Sequence, residues 1–181
     1  MKKFLVFSVI SIVTISSLHA QLAVTKLVGK NADKYKLGYG LFTFFEFPLK
    51  STENQSIRLE LMDLAFYPGK DGNFFDASYG RAYLSIKAGY KYIFSDTKTG
   101  FYAEPSVGWG RVVDVFSDQD DPLYGDGVAL ALETGYSVEI GQRGHVMCFG
   151  VKYETDRGGA GLSSVGLRLS YAFNMFRRKE Y

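Results

Sequence analysis

From Ala82 to Phe94 the chain alternates with a period of two. Ala82, Leu84, Ile86, Ala88, Tyr90, Tyr92 and Phe94 form one row, and Tyr83, Ser85, Lys87, Gly89 and Lys91 the other. The stretch Val128 to Ile140 behaves the same way, with Val128, Leu130, Leu132, Tyr136, Val138 and Ile140 opposing Ala129, Ala131, Glu133, Gly135, Ser137 and Glu139. This is the pattern of strands with one apolar and one polar face. Hydrophobic residues make up 46% of the chain and aromatics 16%, yet beyond residue 20 no apolar run is long enough to cross a bilayer as a helix. The apolar residues are spread by period, and the chain has to be read as a β-protein.

The same test marks about eight strands: Leu22–Gly29, Lys34–Phe47, Ser56–Tyr67, Tyr79–Phe94, Phe101–Val113, Val128–Ile140, His145–Asp156 and Ser163–Phe173. Tight connections at Ser95–Gly100 and Gly141–Gly144 contrast with long ones at Pro68–Ser78 and Asp114–Gly127. Short turns at one end and long loops at the other are the habit of an up-and-down membrane barrel. Asn31–Lys34 is short for an outer loop, and Pro48–Gln55 is long for a periplasmic turn. Two positions disturb the pattern. The apolar register slips at Leu61–Met62, which predicts a β-bulge, and Pro105 removes a ladder hydrogen bond inside its strand.

A soluble barrel would turn the apolar row inward, and a membrane barrel would turn it toward lipid. The polar row decides between them. Facing water it would be crowded with long solvated side chains, but here it is rich in Gly38, Gly40, Ser85, Gly89, Ser106, Gly108, Gly110, Gly135, Ser137, Gly150, Gly166 and Ser170. Charges of both signs are spaced among them: Lys36, Glu46, Arg58, Glu60, Arg81, Lys87, Lys91, Glu104, Glu133, Glu139, Lys152, Glu154 and Arg168. Small residues with paired charges suit a narrow interior filled by side chains, so an ion-pair network in the lumen and no open pore are expected. Aromatics of the other row gather toward strand ends, as in the interfacial girdles of a membrane barrel. Phe45, Phe47, Tyr90, Tyr92, Phe94, Phe101, Tyr136, Tyr171 and Phe173 lie at one end, with Tyr35, Phe66, Trp109 and Tyr153 toward the other.

The first twenty residues read as a cleaved secretory signal peptide: Lys2 and Lys3, an apolar run from Phe4 to Leu18, and a small-residue site at Ala20. The expected organisation is therefore residues 1–20 as signal and 21–181 as one barrel domain. Without Lys2 and Lys3 the basic and acidic residues are equal at nineteen each, and nothing points to a nucleic-acid partner. The lone cysteine, Cys148, forms no internal disulfide and lies far from any lipoprotein cleavage site.

The chain resembles the small outer-membrane β-barrel proteins of Gram-negative bacteria, in particular the Bacteroidetes-type outer-membrane β-barrel domain family. The motif that carries this lies in the last strand, where Ser164, Gly166, Leu169 and Tyr171, continued by Phe173, match a C-terminal insertion signal. The resemblance implies that the barrel assembly machinery reads this strand. The motif normally closes the chain, whereas eight residues, "NMFRRKEY", follow Phe173 here.

Candidate chemistry is sparse. His145 is the one histidine beyond the signal, and it falls in the outward row beside a turn, where a Ser-His-acid triad would need partners at that rim. Cys148 faces inward without a second histidine to activate it. Asp114, Asp118, Asp120, Asp121 and Asp126 form an acidic outer-loop cluster whose spacing does not match a helical calcium loop. Arg111 lies in the lipid-facing row near the outer end, placed to meet lipid phosphates or to snorkel. No metal or cofactor is expected. The leading expectation is a non-enzymatic outer-membrane barrel in contact with membrane lipid, its loops open to an extracellular ligand. A lipid A- or phospholipid-modifying enzyme and a soluble periplasmic barrel holding an apolar ligand are the alternatives.

Overall fold

A computed structural model describes residues 21–29, 32–49, 54–70, 80–113, 125–140, 145–158 and 161–172. Eight antiparallel strands follow one another: β1 (Leu22–Val28), β2 (Gly38–Pro48), β3 (Gln55–Tyr67), β4 (Arg81–Ile93), β5 (Gly100–Val113), β6 (Gly125–Ile140), β7 (His145–Arg157) and β8 (Ser163–Ala172). Each pairs with its chain neighbours, and β1 pairs with β8 to close the barrel. The signal segment 1–20 lies outside the described residues.

The inside of this barrel is polar and the outside apolar. Arg58 is 1% exposed, whereas Leu167 is 64%, Phe94 66% and Phe101 70% exposed. Those exposures invert the order of a soluble protein. The soluble barrel with an apolar ligand inside is thereby excluded, because charges and aromatic rings occupy the space such a ligand would need.

Closure sets the tilt. Val24 pairs directly with Tyr39. Traced the other way round, through Leu167, Val151, Thr134, Ala103, Tyr92 and Gln55, the same line reaches Leu49, whose N–H bonds the Gln55 carbonyl. Tyr39 and Leu49 are ten residues apart, so strands are staggered by about one and a quarter residues each and run obliquely to the barrel axis.

The lumen is layered. At the end carrying the long connections, Leu27, Ala65, Tyr67, Tyr83, Val112 and Leu162 form an apolar cap, with Ala32 and Tyr35 against it. At the short-turn end Ile93, Tyr102 and Cys148 close the bore with Val146. Glycines make room for the rings. A Cβ on Gly110 would strike the Tyr83 ring, and one on Gly150 would meet the Tyr102 hydroxyl and Glu133.

The bulge falls at Leu61–Met62, both exposed: β2 steps from Thr43↔Met62 to Phe44↔Glu60, and β4 loses register between Glu60 and Asp63. The β4–β5 ladder lapses between Gly89↔Ser106 and Tyr92↔Ala103, where Pro105 has no N–H to give. The start of the second strand differs from the alternation reading. Ala32–Lys34 forms a single 3-10 turn, Tyr35 bridges Gly69, and the Lys36 N–H bonds the Pro68 carbonyl, so β2 begins only at Gly38.

Candidate functional site

Among the described strand residues polar groups gather in the middle of the lumen and in an arc on the outer wall at the loop end.

In the lumen, alternation on adjacent strands aims carboxylates and cations at one another. Arg58 joins Glu46 at 3.2 Å and Glu104 at 2.9 Å, and Lys91 lies 3.6 Å from Glu46. Arg168 bonds Glu60 at 2.7 Å and Glu133 at 2.9 Å, while the Tyr102 hydroxyl donates to Glu133 at 2.5 Å. Lys87 reaches Asp63 at 3.0 Å and Glu154 at 2.9 Å, and Lys152 joins the same two carboxylates. Both guanidiniums also lie on aromatic faces, Arg58 4.0 Å from the centre of the Phe44 ring and Arg168 3.4 Å from that of Phe42. Arg81 is buried in the same bore near the loop end, in β4 opposite Tyr67. A cavity of about 30 Å³ beside Asp63, Lys152 and Tyr83 has room for little more than one water.

Two residues expected in this network lie elsewhere. Lys36 is exposed, because the chain ahead of Gly38 is loop and not strand. Glu139 keeps inward parity but is exposed, because it sits in the last turn-side pair of rungs, beyond the closing cap. Conversely, Asp63 is a lumenal residue that strict alternation does not mark. Its signal was the register slip itself: with Leu61 and Met62 both outward, the next residue must turn in. Asp156 is likewise buried in the bore, one position inside Arg157. Phe42 and Phe44 also face inward, a placement visible in the parity of Glu46.

On the outer wall, the tilt brings together residues that are not cross-strand partners. Each step along the hydrogen bonds from β5 through β6, β7 and β8 to β1 climbs toward the loop end. At equal height the wall therefore presents, in order, Arg111, Asp126, Arg157, Ser163 and Lys26, within about one or two residues of a common level. Arg111 and Asp126 are direct partners. Ser163 pairs with Thr155, their hydroxyl oxygens 2.9 Å apart. Arg111, Asp126, Arg157 and Lys26 are all exposed. On the opposite side of the barrel the same level carries Tyr39 and Phe66, whose ring centres lie 5.5 Å apart. Asp126 thus belongs to β6 and not to a loop cluster, because the strand begins at Gly125; Asp114, Asp118, Asp120 and Asp121 lie outside the described residues.

His145 opens β7 on the outer wall at the short-turn end, tilted against Tyr171 with ring centres 5.7 Å apart. Ten residues of strand, about 33 Å, separate it from Thr155, so it forms no dyad with that hydroxyl pair. Cys148 faces inward, its sulfur 3.3 Å from the Lys91 ammonium. In β8, Ser164 is buried, while Leu169 and Tyr171 belong to the outward row; Phe173 lies outside the described residues. Among the described residues no cluster of His, Cys, Asp and Glu has the makings of a metal site.

No family model and no curated protein matches this chain. A solved structure does. The outer membrane enzyme PagL superposes with a TM-score of 0.54, at 13% identity, over 84% of this chain and 97% of its own. The fold is that of an outer-membrane β-barrel.

This match overturns the expectation of a barrel without catalytic activity, since the solved structure matched over most of both chains is an outer membrane enzyme. A packed bore does not argue against catalysis. It removes the lumen as a route and leaves the outer wall and rims for chemistry.

Proposed function

We propose that this chain is a lipid-modifying enzyme of the outer membrane. The observation that carries the reading is the likeness in fold to the outer membrane enzyme PagL. The layered lumen supports it, because substrate has to approach from the wall. There, among the described residues, hydroxyls and cations adjoin at the loop end: Thr155 and Ser163 between Arg157 and Lys26. The exposed apolar belt and the aromatics near the strand ends are the surface that acyl chains and interfaces require. Residues 1–20 act as the export signal in this reading, and Ser164, Gly166, Leu169 and Tyr171 as the strand presented to the barrel assembly machinery.

The test is to incubate the purified, refolded barrel with lipid A and with phospholipid in mixed micelles and analyse the products by mass spectrometry. A mass change that requires the folded barrel supports the reading. Unchanged lipids of both classes would overturn it.

A further inference from the structure

The arc on the outer wall has a composition that catalysis alone does not call for. Lys26, Arg111 and Arg157 are exposed cations on a strand wall that is otherwise hydrocarbon-facing, set against one carboxylate among the described strand residues at this level, Asp126. No ion pair joins Lys26 or Arg157 to a carboxylate among the described residues. A cation on the lipid face of a barrel is costly at mid-depth and tolerated near the interface, so three at one level mark where headgroups begin. Directly beneath them the wall is apolar: Val24, Trp109, Val128, Tyr153 and Val165 are all exposed. On β2 and β3 the strand wall at this height carries the Tyr39–Phe66 ring pair, and the exposed Lys34, Lys36 and Lys70 of that side stand in the segments before β2 and after β3, outside the strands.

We infer that Lys26, Arg111 and Arg157 form a seat for the anionic, phosphorylated headgroup of a membrane lipid whose acyl chains lie against the apolar wall below. Guanidinium groups match phosphate oxygens in a planar, two-pronged geometry, and an ammonium adds a compact charge. Asp126, in register with Arg111, limits the net positive charge and keeps the arc from acting as a general anion trap. The Thr155 and Ser163 hydroxyls lie between Arg157 and Lys26, where they donate to ester or phosphate oxygens. The seat rests on the reading of the outer wall as lipid-facing, and it holds whether or not the bound lipid is the one modified.

Trp109 is the single tryptophan of the chain and sits two residues below Arg111 on the same face, so its fluorescence reports which lipid occupies the seat. The barrel is reconstituted in phosphatidylcholine vesicles containing an equal fraction of either brominated phosphatidylglycerol or brominated phosphatidylcholine. The expected result is stronger quenching by the anionic lipid, equivalent to about fivefold enrichment beside Trp109. The preference should disappear in Lys26→Gln/Arg111→Gln/Arg157→Gln and increase in Asp126→Asn, both checked for folding by heat-modifiable migration. Inorganic phosphate should leave it unchanged relative to chloride at the same ionic strength; loss of the preference with phosphate would overturn the assignment to a lipid. Equal quenching by the two lipids, or a preference that survives the triple substitution and ignores Asp126→Asn, would overturn the seat. Absence of quenching by either lipid would overturn the lipid-facing wall itself, and with it the seat.

Discussion

Glu104 on β5 and Glu133 on β6 are direct cross-strand partners, two carboxylates on one inward-facing rung. Like charges in that position repel, and here they are drawn to different guanidiniums, Glu104 to Arg58 and Glu133 to Arg168, each at 2.9 Å. Arg168→Met leaves Glu133 with only the Tyr102 hydroxyl, and should destabilise the barrel by about 3–5 kcal/mol in urea titrations in detergent. Arg168→Met combined with Glu133→Gln should cost less than Arg168→Met alone, because the Glu133 charge is gone and Glu60, the other carboxylate that Arg168 holds, keeps Lys87 and Lys152 at 3.7 Å. A double variant as unstable as the sum of its parts would show that the pairing is not what holds this rung.

The bulge at Leu61–Met62 decides which way Asp63 points, and Asp63 is shared by Lys87 and Lys152. Deleting Met62 removes the extra residue and restores strict alternation, with Leu61 and Leu64 outward and Asp63 still inward. Inserting one alanine after Asp63 instead turns Leu64 and Phe66 into the charged bore and Tyr67 out of it, so the insertion should abolish the heat-modifiable folded band on gels and the Met62 deletion should retain it.

The bore is closed by Leu27, Tyr67, Tyr83, Val112 and Leu162 at one end and by Ile93 and Tyr102 at the other. Planar-bilayer recordings of the purified barrel should show no sustained porin-like conductance. Discrete long-lived openings would contradict a lumen filled by side chains.

Gly110 lies under the ring of Tyr83. Gly110→Leu should push that ring out of the cap and cost about 1–3 kcal/mol, read as a lower urea midpoint, while Trp109→Phe beside it should be nearly neutral.

His145 stands at the opposite end of β7 from the Thr155–Ser163 pair. His145→Ala should therefore leave lipid modification unchanged in product assays, and Thr155→Val/Ser163→Ala should reduce it at least about tenfold. The reverse result would move the reacting centre to the short-turn rim.

Much of the architecture was legible in the chain because a strand's side-chain period is two: once one row is seen to be apolar and the other small or charged, both faces are determined. Alternation was enough to point Arg58, Lys87, Glu133 and Arg168 inward and Leu167 and Tyr171 outward. It failed where the chain stops being strand, at Lys36, and where a strand outruns the closed bore, at Glu139. It was incomplete at Asp63, because a bulge reverses parity only for residues beyond it.

Sequence alone determined the strands, the inside-out polarity and the presence of a charge-filled interior, all of which depend on local periodicity. Only the tertiary structure decided which carboxylate meets which cation and that Arg111, Arg157 and Lys26 share one level. Those relationships depend on the stagger with which β1 closes on β8, a single global quantity that no one strand encodes.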